Sequence, residues 1–161
     1  MRKLPYREGT WFAVPLEGGG FGVGVVARAA PKGKIILAYL FGPQRTDVPT
    51  LGQVEGLKAE GAVLRIMVGD LGLIRGEWPL IGESKSWQRA EWPMPLFIRR
   101  EPLGCGRAWL VHYADDDPSR RLAEEPISPQ STGLGRESLF GAGAAEAILS
   151  KVLTETQRPS S

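Results

Sequence analysis

The sequence predicts a mainly β (α+β) fold, a strongly bent antiparallel sheet or a partly open barrel with one short helix and a C-terminal helix. Glycine and proline occur 21 and 13 times in 161 residues, which favours short strands and many turns over long helices. The apolar runs 9–16 and 21–28 flank three consecutive glycines, a pattern typical of a β-hairpin. Gly22 and Gly24 inside the second run indicate a bend or a close backbone approach.

The elements after the hairpin follow from hydrophobic periodicity. Residues 34–41 are apolar on both faces, which predicts a central strand covered on both sides. A capping-box pattern followed by apolar residues at helical spacing predicts a short helix from about Leu51 to Glu60. Residues 63–68 alternate as a strand does, and residues 71–75 are expected to extend or continue that strand.

The second half of the chain predicts another hairpin. Residues 96–101 and 107–114 read as strands, and the turn Gly104-Cys105-Gly106 joins them. The polar segment 114–131 is expected to be a loop with, at most, a short strand near 121–124.

The last element is the longer of the two predicted helices. A single apolar stripe runs along residues 139–153, which predicts a C-terminal helix that packs on the sheet. The end of the chain, 155–161, is expected to be disordered. No linker or repeat divides the sequence, so residues 1–161 are predicted to form a single domain.

The composition excludes several function classes. Twenty Lys and Arg against 18 Asp and Glu give a net charge of +2, which makes no electrostatic case for nucleic acid or an acidic membrane. A single cysteine excludes an intramolecular disulfide and a cysteine-rich zinc site. No apolar run has the length of a signal-peptide core or a membrane span, so the expected location is the cytoplasm.

Residues with catalytic or metal-binding chemistry do not form a recognisable pattern. Cys105 and His112 would need an orienting third group and an activated thiolate to work as a catalytic pair. The run Asp115-Asp116-Asp117 lacks the spacing, the central glycine and the closing glutamate of a calcium loop, and a solvated turn is favoured. We therefore predict a protein that is not an enzyme, with no catalytic residue, metal ligand or cofactor.

The polar segment 83–95 is the candidate binding region. It carries Trp87, Arg89 and Trp92 without a helix or strand period that would bury them. Tryptophan and arginine are enriched where binding energy concentrates, so the three residues are predicted to contact a partner. The alternative is that both tryptophans cap the core as a lid. The sequence leaves these two interpretations open.

Two motifs resemble the immunity protein 26 family of bacterial polymorphic toxin systems. The first is the hairpin, with Phe12-Ala13-Val14-Pro15-Leu16 after Gly9 and then Phe21-Gly22-Val23-Gly24-Val25-Val26. The second is Gly76-Glu77-Trp78-Pro79-Leu80-Ile81-Gly82. The resemblance spans roughly residues 9–98. It implies a small, cytoplasmic, β-rich bacterial protein that binds and neutralises a cognate protein toxin and has no catalytic residue.

Two other functions remain open at this point. One is a small-molecule-binding or regulatory β-barrel module. The other is an enzyme built on Cys105 and His112. The sequence does not indicate the oligomeric state or the activity of the toxin.

Overall fold

The computed structural model describes residues 3–101 and 106–156, and this part of the chain is mainly β, as predicted. Its strands are β1 (Thr10–Pro15), β2 (Phe21–Ala29), β3 (Ile35–Arg45), β4 (Leu64–Gly69), β5 (Leu80–Glu83), β6 (Phe97–Arg100), β7 (Ala108–Ala114), β8 (Asp117–Ile127), β9 (Gly135–Arg136) and β10 (Leu139–Phe140). Its helices are α1 (Leu51–Val54), α2 (Leu71–Ile74) and α3 (Ala142–Thr156), with 3-10 turns at Ala59–Gly61 and Arg89–Glu91. The predicted C-terminal helix is confirmed.

The strands form two mixed sheets, and neither closes into a barrel over the described residues. The larger sheet has the order β10-β4-β3-β2-β1-β5, with β10 parallel to β4 and the other pairs antiparallel. The smaller sheet has the order β8-β7-β6-β9, with β9 parallel to β6. The predicted central strand, β3, lies between β2 and β4 in the larger sheet.

The β1–β2 hairpin is present, and the structure shows why β2 contains glycines. A Cβ atom on Gly24 would lie 2.5 Å from the Phe12 ring. A Cβ atom on Gly22 would lie 2.6 Å from a methyl group of Leu149 on α3. The two glycines therefore allow a large aromatic ring and the C-terminal helix to approach the strand closely.

Each face of the six-stranded sheet has its own hydrophobic core. On one face, α3 packs over the hairpin, and Phe12 stacks on Trp78 with ring centroids 5.5 Å apart. The Trp78 Nε1 group donates a hydrogen bond to Glu146 Oε2 of α3 at 2.9 Å, which fixes the helix over this core. The other core lies between the two sheets and is rich in aromatic residues. It includes Trp11, Tyr39, Phe41, Trp92 and Phe97.

A buried carboxylate ties the start of the chain to the sheet. Asp70 is 5% exposed, and its Oδ2 atom accepts hydrogen bonds from the Tyr6 hydroxyl at 2.7 Å and from the Lys34 amide at 2.9 Å. Lys34 has a φ of +80°, a conformation that costs energy for a residue with a side chain. The hydrogen bond that the Lys34 amide donates to Asp70 stabilises this turn before β3.

Several predicted elements differ from the structure in type or length. Residues 71–75 do not extend a strand, because 71–74 form the helical turn α2, in which Gly72 lies directly against the Trp78 ring. The helix predicted over 51–60 ends at Val54, shortly before the unfavourable Gly56. In the segment predicted to be a loop with at most a short strand near 121–124, residues 117–127 form the 11-residue strand β8.

The two ends of the C-terminal region also differ from expectation. The predicted helix over 139–153 begins at Ala142 and continues to Thr156, because Leu139–Phe140 pair with β4 as β10. Of the tail predicted to be disordered, 155 and 156 belong to α3, and the rest lies outside the described residues.

The predicted second hairpin is present as β6 and β7, while Gly104 and Cys105 of its turn lie outside the described residues. That the whole chain forms one domain stays a prediction.

Candidate partner-binding site

The segment that carries Trp87, Arg89 and Trp92 connects β5 of the six-stranded sheet to β6 of the four-stranded sheet. It crosses the open side of the core between the sheets and contains the 3-10 turn Arg89–Glu91. Two backbone groups hold its ends. The Ser84 amide donates a hydrogen bond to the Gly9 carbonyl at 2.9 Å, and the Tyr39 hydroxyl donates one to the Pro93 carbonyl. The segment therefore has a fixed path over the core.

Trp92 lies inside the core between the sheets, and its side chain is 5% exposed. Its ring meets those of Trp11, Tyr39 and Phe41 edge-on, with centroids 5.9, 5.1 and 6.1 Å away. Edge-to-face contacts of this kind suit the charge distribution of aromatic rings. Trp92 thus occupies the position that the lid interpretation assigns to it.

Trp87 covers Trp92 from the outside. The two rings stack at 5.2 Å with an angle of 17° between their planes, and Trp87 is half-buried. Trp87 also lies against Gly9, where an added Cβ atom would lie 3.1 Å from Cγ of Trp87. Gly9 also has a φ of +90°, which favours glycine. Trp87 therefore forms the outer layer of a two-ring stack and keeps part of its surface in solvent.

Arg89 joins the loop to two other parts of the chain. Its side chain is 41% exposed, and its Nε atom donates a hydrogen bond to Glu8 Oε1 at 2.9 Å. Its NH2 group donates a hydrogen bond to the Asp115 carbonyl at 2.9 Å, and NH1 lies 3.5 Å from the Asp115 carboxylate. The guanidinium is thus held between the residue before the hairpin and the turn between β7 and β8.

Arg28, on β2, holds the turn between β7 and β8 in place through hydrogen bonds to Asp115. Its guanidinium is 2% exposed, and it donates hydrogen bonds to the Ala27 carbonyl at 2.6 Å, the Asp115 carbonyl at 2.7 Å and Asp115 Oδ1 at 2.9 Å. A buried arginine needs such partners, because an unpaired buried charge is costly. Asp115 itself is 64% exposed, so its carboxylate reaches the surface from an anchored backbone.

Arg28, Glu8 and Asp115 were not identified from the sequence as parts of a site. Arg28 and Asp115 are 87 positions apart, and Glu8 and Arg89 are 81 positions apart. No spacing rule connects residues at such separations. The one indirect signal is a charged residue, Arg28, at the end of an otherwise apolar strand.

We call the resulting patch the tryptophan-loop surface. It consists of Glu8, Trp87, Gln88, Arg89, Glu91, Asp115 and Asp116. It combines an aromatic edge, a cation held in place and several carboxylates on a backbone fixed by hydrogen bonds. Such a surface suits recognition through hydrogen bonds and ion pairs.

Of the remaining candidate residues, those that the structure describes do not join this surface in a reactive arrangement. His112 Nε2 lies 3.3 Å from Glu125 Oε1 at an exposed position on β7, and Cys105 lies outside the described residues. Asp117 accepts hydrogen bonds from the Ser119 hydroxyl and amide, which lower the pKa of its carboxyl group. Over residues 3–101 and 106–156, no three His, Cys, Asp or Glu side chains are grouped so that they could hold a metal ion.

Comparison with protein families identifies the class to which this chain belongs. The family model described as Immunity protein 26 matches residues 7–109, which is more than half of the chain. The chain therefore belongs to the immunity protein 26 family. No curated protein and no solved structure matches it. Among the described helices, none is both long and apolar enough to cross a membrane.

The matched region contains most of the tryptophan-loop surface. Glu8 and the loop from β5 to β6 fall within residues 7–109, as does Arg28 beneath the surface, whereas the turn that carries Asp115 follows the match. Whether Trp87, Arg89 and Trp92 contact a partner stays a prediction.

Proposed function

We propose that this protein binds and neutralises a cognate protein toxin in the bacterial cytoplasm, without catalysis, as part of a polymorphic toxin system. Membership of the immunity protein 26 family supports a toxin partner in general. The observation that carries the location of the binding site is the position of Arg89, half-exposed and held between Glu8 and Asp115.

The rigid base of the tryptophan-loop surface supports this proposal. Binding residues lie preferentially on loops that a scaffold holds in place. A loop whose conformation is already fixed loses less entropy when it binds. Trp92 anchors the loop in the core, and Trp87 stacks on it, so the Arg89 side chain starts from an ordered backbone. In this proposal Trp92 acts by positioning, and Trp87 and Arg89 contact the toxin.

The charges of the surface indicate which toxin groups would be recognised. Asp115 and Asp116 are 64% and 73% exposed, and their carboxylates can accept hydrogen bonds from arginine or lysine side chains. Arg89 can donate to a toxin carboxylate or carbonyl without leaving Glu8, because a guanidinium has five N–H groups. We expect polar contacts of both signs around the edge of Trp87.

The test is co-expression with the protein encoded beside this gene, followed by measurement of binding for Arg89→Ala. We expect the wild-type protein to rescue the cells, and Arg89→Ala to bind about 30-fold more weakly, as a change of about 2 kcal/mol at a central arginine would cause. The melting temperature should change little, because the ion pairs of Arg89 are partly exposed. Arg75→Ala, at another exposed arginine, is the matched control and should leave binding unchanged.

Two outcomes separate the parts of the proposal. If the wild type rescues the cells and Arg89→Ala binds the toxin as tightly as the wild type does, the interface does not lie at the tryptophan-loop surface. Failure of the wild type to bind or to rescue would contradict toxin neutralisation itself.

One observation favours a second function, the binding of a small molecule. An open cleft of about 660 Å³ lies beside β4 and β9, and its walls are mostly apolar. They include Leu64, Ile66, Phe97, Phe140 and Ile148. Clefts of this volume and character hold small ligands in many proteins. A metabolite that raises the melting temperature, together with absence of rescue, would favour this function over toxin binding.

A further inference from the structure

Strand β8 forms one edge of the four-stranded sheet and has a long uncovered side. It pairs with β7 alone among the described strands, and residues 119–126 are exposed without interruption. The outer side of such an edge strand presents N–H and C=O groups to which another strand can pair.

The charges along β8 are complementary to those of a second copy of the same strand. The middle of the strand reads Arg120-Arg121-Leu122-Ala123-Glu124-Glu125. In an antiparallel pair with a two-fold axis between Leu122 and Ala123, Arg121 faces Glu124 of the second copy, and Arg120 faces Glu125. Symmetry repeats each pair, which places four pairs of opposite charge across the interface. Arg121 and Glu124 keep their partners within each copy, Glu137 and Arg99, so the outer pairs of Arg120 with Glu125 are the ones that are new. Opposite charges directly across an antiparallel pair are stabilising, and like charges are destabilising.

The apolar centre of this segment is exposed and interrupts the pairing with β7. His112 faces Ala123 and Tyr113 faces Arg121, so Leu122 has no partner on β7 and forms a bulge. Its side chain is 58% exposed. At a two-fold axis between Leu122 and Ala123, Leu122 would lie opposite Ala123 of the second copy and would be covered by it. Charged pairs would lie on both sides of this centre. An apolar centre with a polar rim is typical of protein interfaces.

We propose that β8 is the interface of a homodimer, in which two copies pair antiparallel through residues 120–125. The interface is isologous, which means that the same segment of both copies forms it, as in most two-fold symmetric dimers. This proposal concerns assembly, and it does not depend on toxin binding.

The outer charges of the segment are free to change partners. Arg120 lies 3.5 Å from Asp116, and both side chains are more than half exposed. Glu125, which is 61% exposed, lies 3.3 Å from His112, which is 36% exposed. Exposed pairs of this kind contribute little to stability. Substitutions at Arg120 and Glu125 should therefore leave the fold intact while they alter the dimer.

The experiment is sedimentation equilibrium of the full chain with the variants Arg120→Glu and Glu125→Arg. We expect the wild type to dimerise, and each variant to dimerise at least about tenfold more weakly, because two attractive pairs become repulsive. An equimolar mixture of the two variants should regain the dimer. One chain then has two acidic residues where the other has two basic ones. Salt at about 1 M, where the Debye length is about 3 Å, should weaken the wild-type dimer.

Matched controls use the same changes of charge elsewhere. Arg75→Glu and Glu55→Arg alter exposed residues on other elements and should dimerise as the wild type does. Circular dichroism melting checks that every variant is folded. A wild type that stays monomeric at all concentrations would overturn the proposal and show that charges and bulge keep this edge unpaired. A dimer that both β8 variants leave unchanged, or that mixing them does not restore, would overturn it as well.

Discussion

The two sheets differ in how much of their surface is buried. Every residue from Gly22 to Arg28 on β2 and from Ile36 to Phe41 on β3 is buried, because cores cover both faces of the six-stranded sheet. In the four-stranded sheet, eight consecutive residues of β8 are exposed. The ion pair Arg99–Glu124 connects β6 to β8, and Arg121–Glu137 connects β8 to the residue after β9. The comparison indicates that burial around the six-stranded sheet supplies most of the stability. Substitutions of exposed residues in the four-stranded sheet should therefore lower the free energy of unfolding only slightly.

The largest expected difference concerns two tryptophans. Trp92→Ala removes a ring from the core between the sheets, and we expect it to lower the free energy of unfolding by about 3–5 kcal/mol. The matched variant, Trp109→Ala on β7, removes a half-buried ring that is covered by the Arg99 guanidinium at 4.4 Å. Trp109→Ala should lower the free energy of unfolding by clearly less than Trp92→Ala does. Urea unfolding followed by circular dichroism measures both, and equal losses would contradict the comparison.

A smaller effect is expected at Tyr6. Tyr6→Phe removes the hydrogen bond to buried Asp70, and a bond to a charged group contributes about 1.5–3 kcal/mol. Burial first, and then Asp70, raise the pKa of Tyr6 in the folded protein well above its usual value. The unfolded chain therefore loses the tyrosine proton first, so stability is complete below the ordinary tyrosine pKa and falls as pH rises above it.

Unfolding measured from neutral to alkaline pH tests this effect. The stability of Tyr6→Phe should fall less steeply at alkaline pH than that of the wild type. At neutral pH the variant should already be less stable than the wild type. An alkaline decline identical to that of the wild type would show that Tyr6 does not contribute to it.

The smallest effect is expected in the four-stranded sheet. Arg99→Gln removes the ion pair with Glu124 at 2.7 Å and the contact with the Trp109 ring. Because both charged side chains are about one third exposed, we expect a loss of about 1 kcal/mol or less, and a smaller one at high salt. Thermal unfolding at two salt concentrations is the measurement. A loss as large as that of Trp92→Ala would mean that ion pairs, and not burial, stabilise the second sheet.

The same contrast explains which parts of the fold could be predicted from the sequence. The hairpin and β3 have apolar residues on both faces, and that pattern directly reflects cover from two sides. Strand β8 has no such pattern, because within one copy its outer side has no neighbouring described strand and its pairing with β7 makes it a strand. The turn α2 has only four residues, too few for a helical period to be recognised.

The candidate site was predictable only in part for a related reason. Trp87, Arg89 and Trp92 could be singled out because large side chains without a period are unusual in a polar loop. The sequence could not decide between an interface and a lid for the two tryptophans, since the burial of Trp92 depends on rings that belong to other strands, among them Tyr39. The hydrogen bonds and the ion pair between Arg28 and Asp115 depend on how the two sheets meet, and this is a property of the tertiary fold alone.

The short connection between β9 and β10 has a mechanical consequence. Arg136 ends a strand of one sheet, and Leu139 begins a strand of the other, so three Cα–Cα steps, about 11 Å at full extension, join the sheets. A hinge-like opening beyond that length would strip β10 from β4 or β9 from β6. The connection therefore limits how far the two sheets can separate at this edge while β9 and β10 both stay paired.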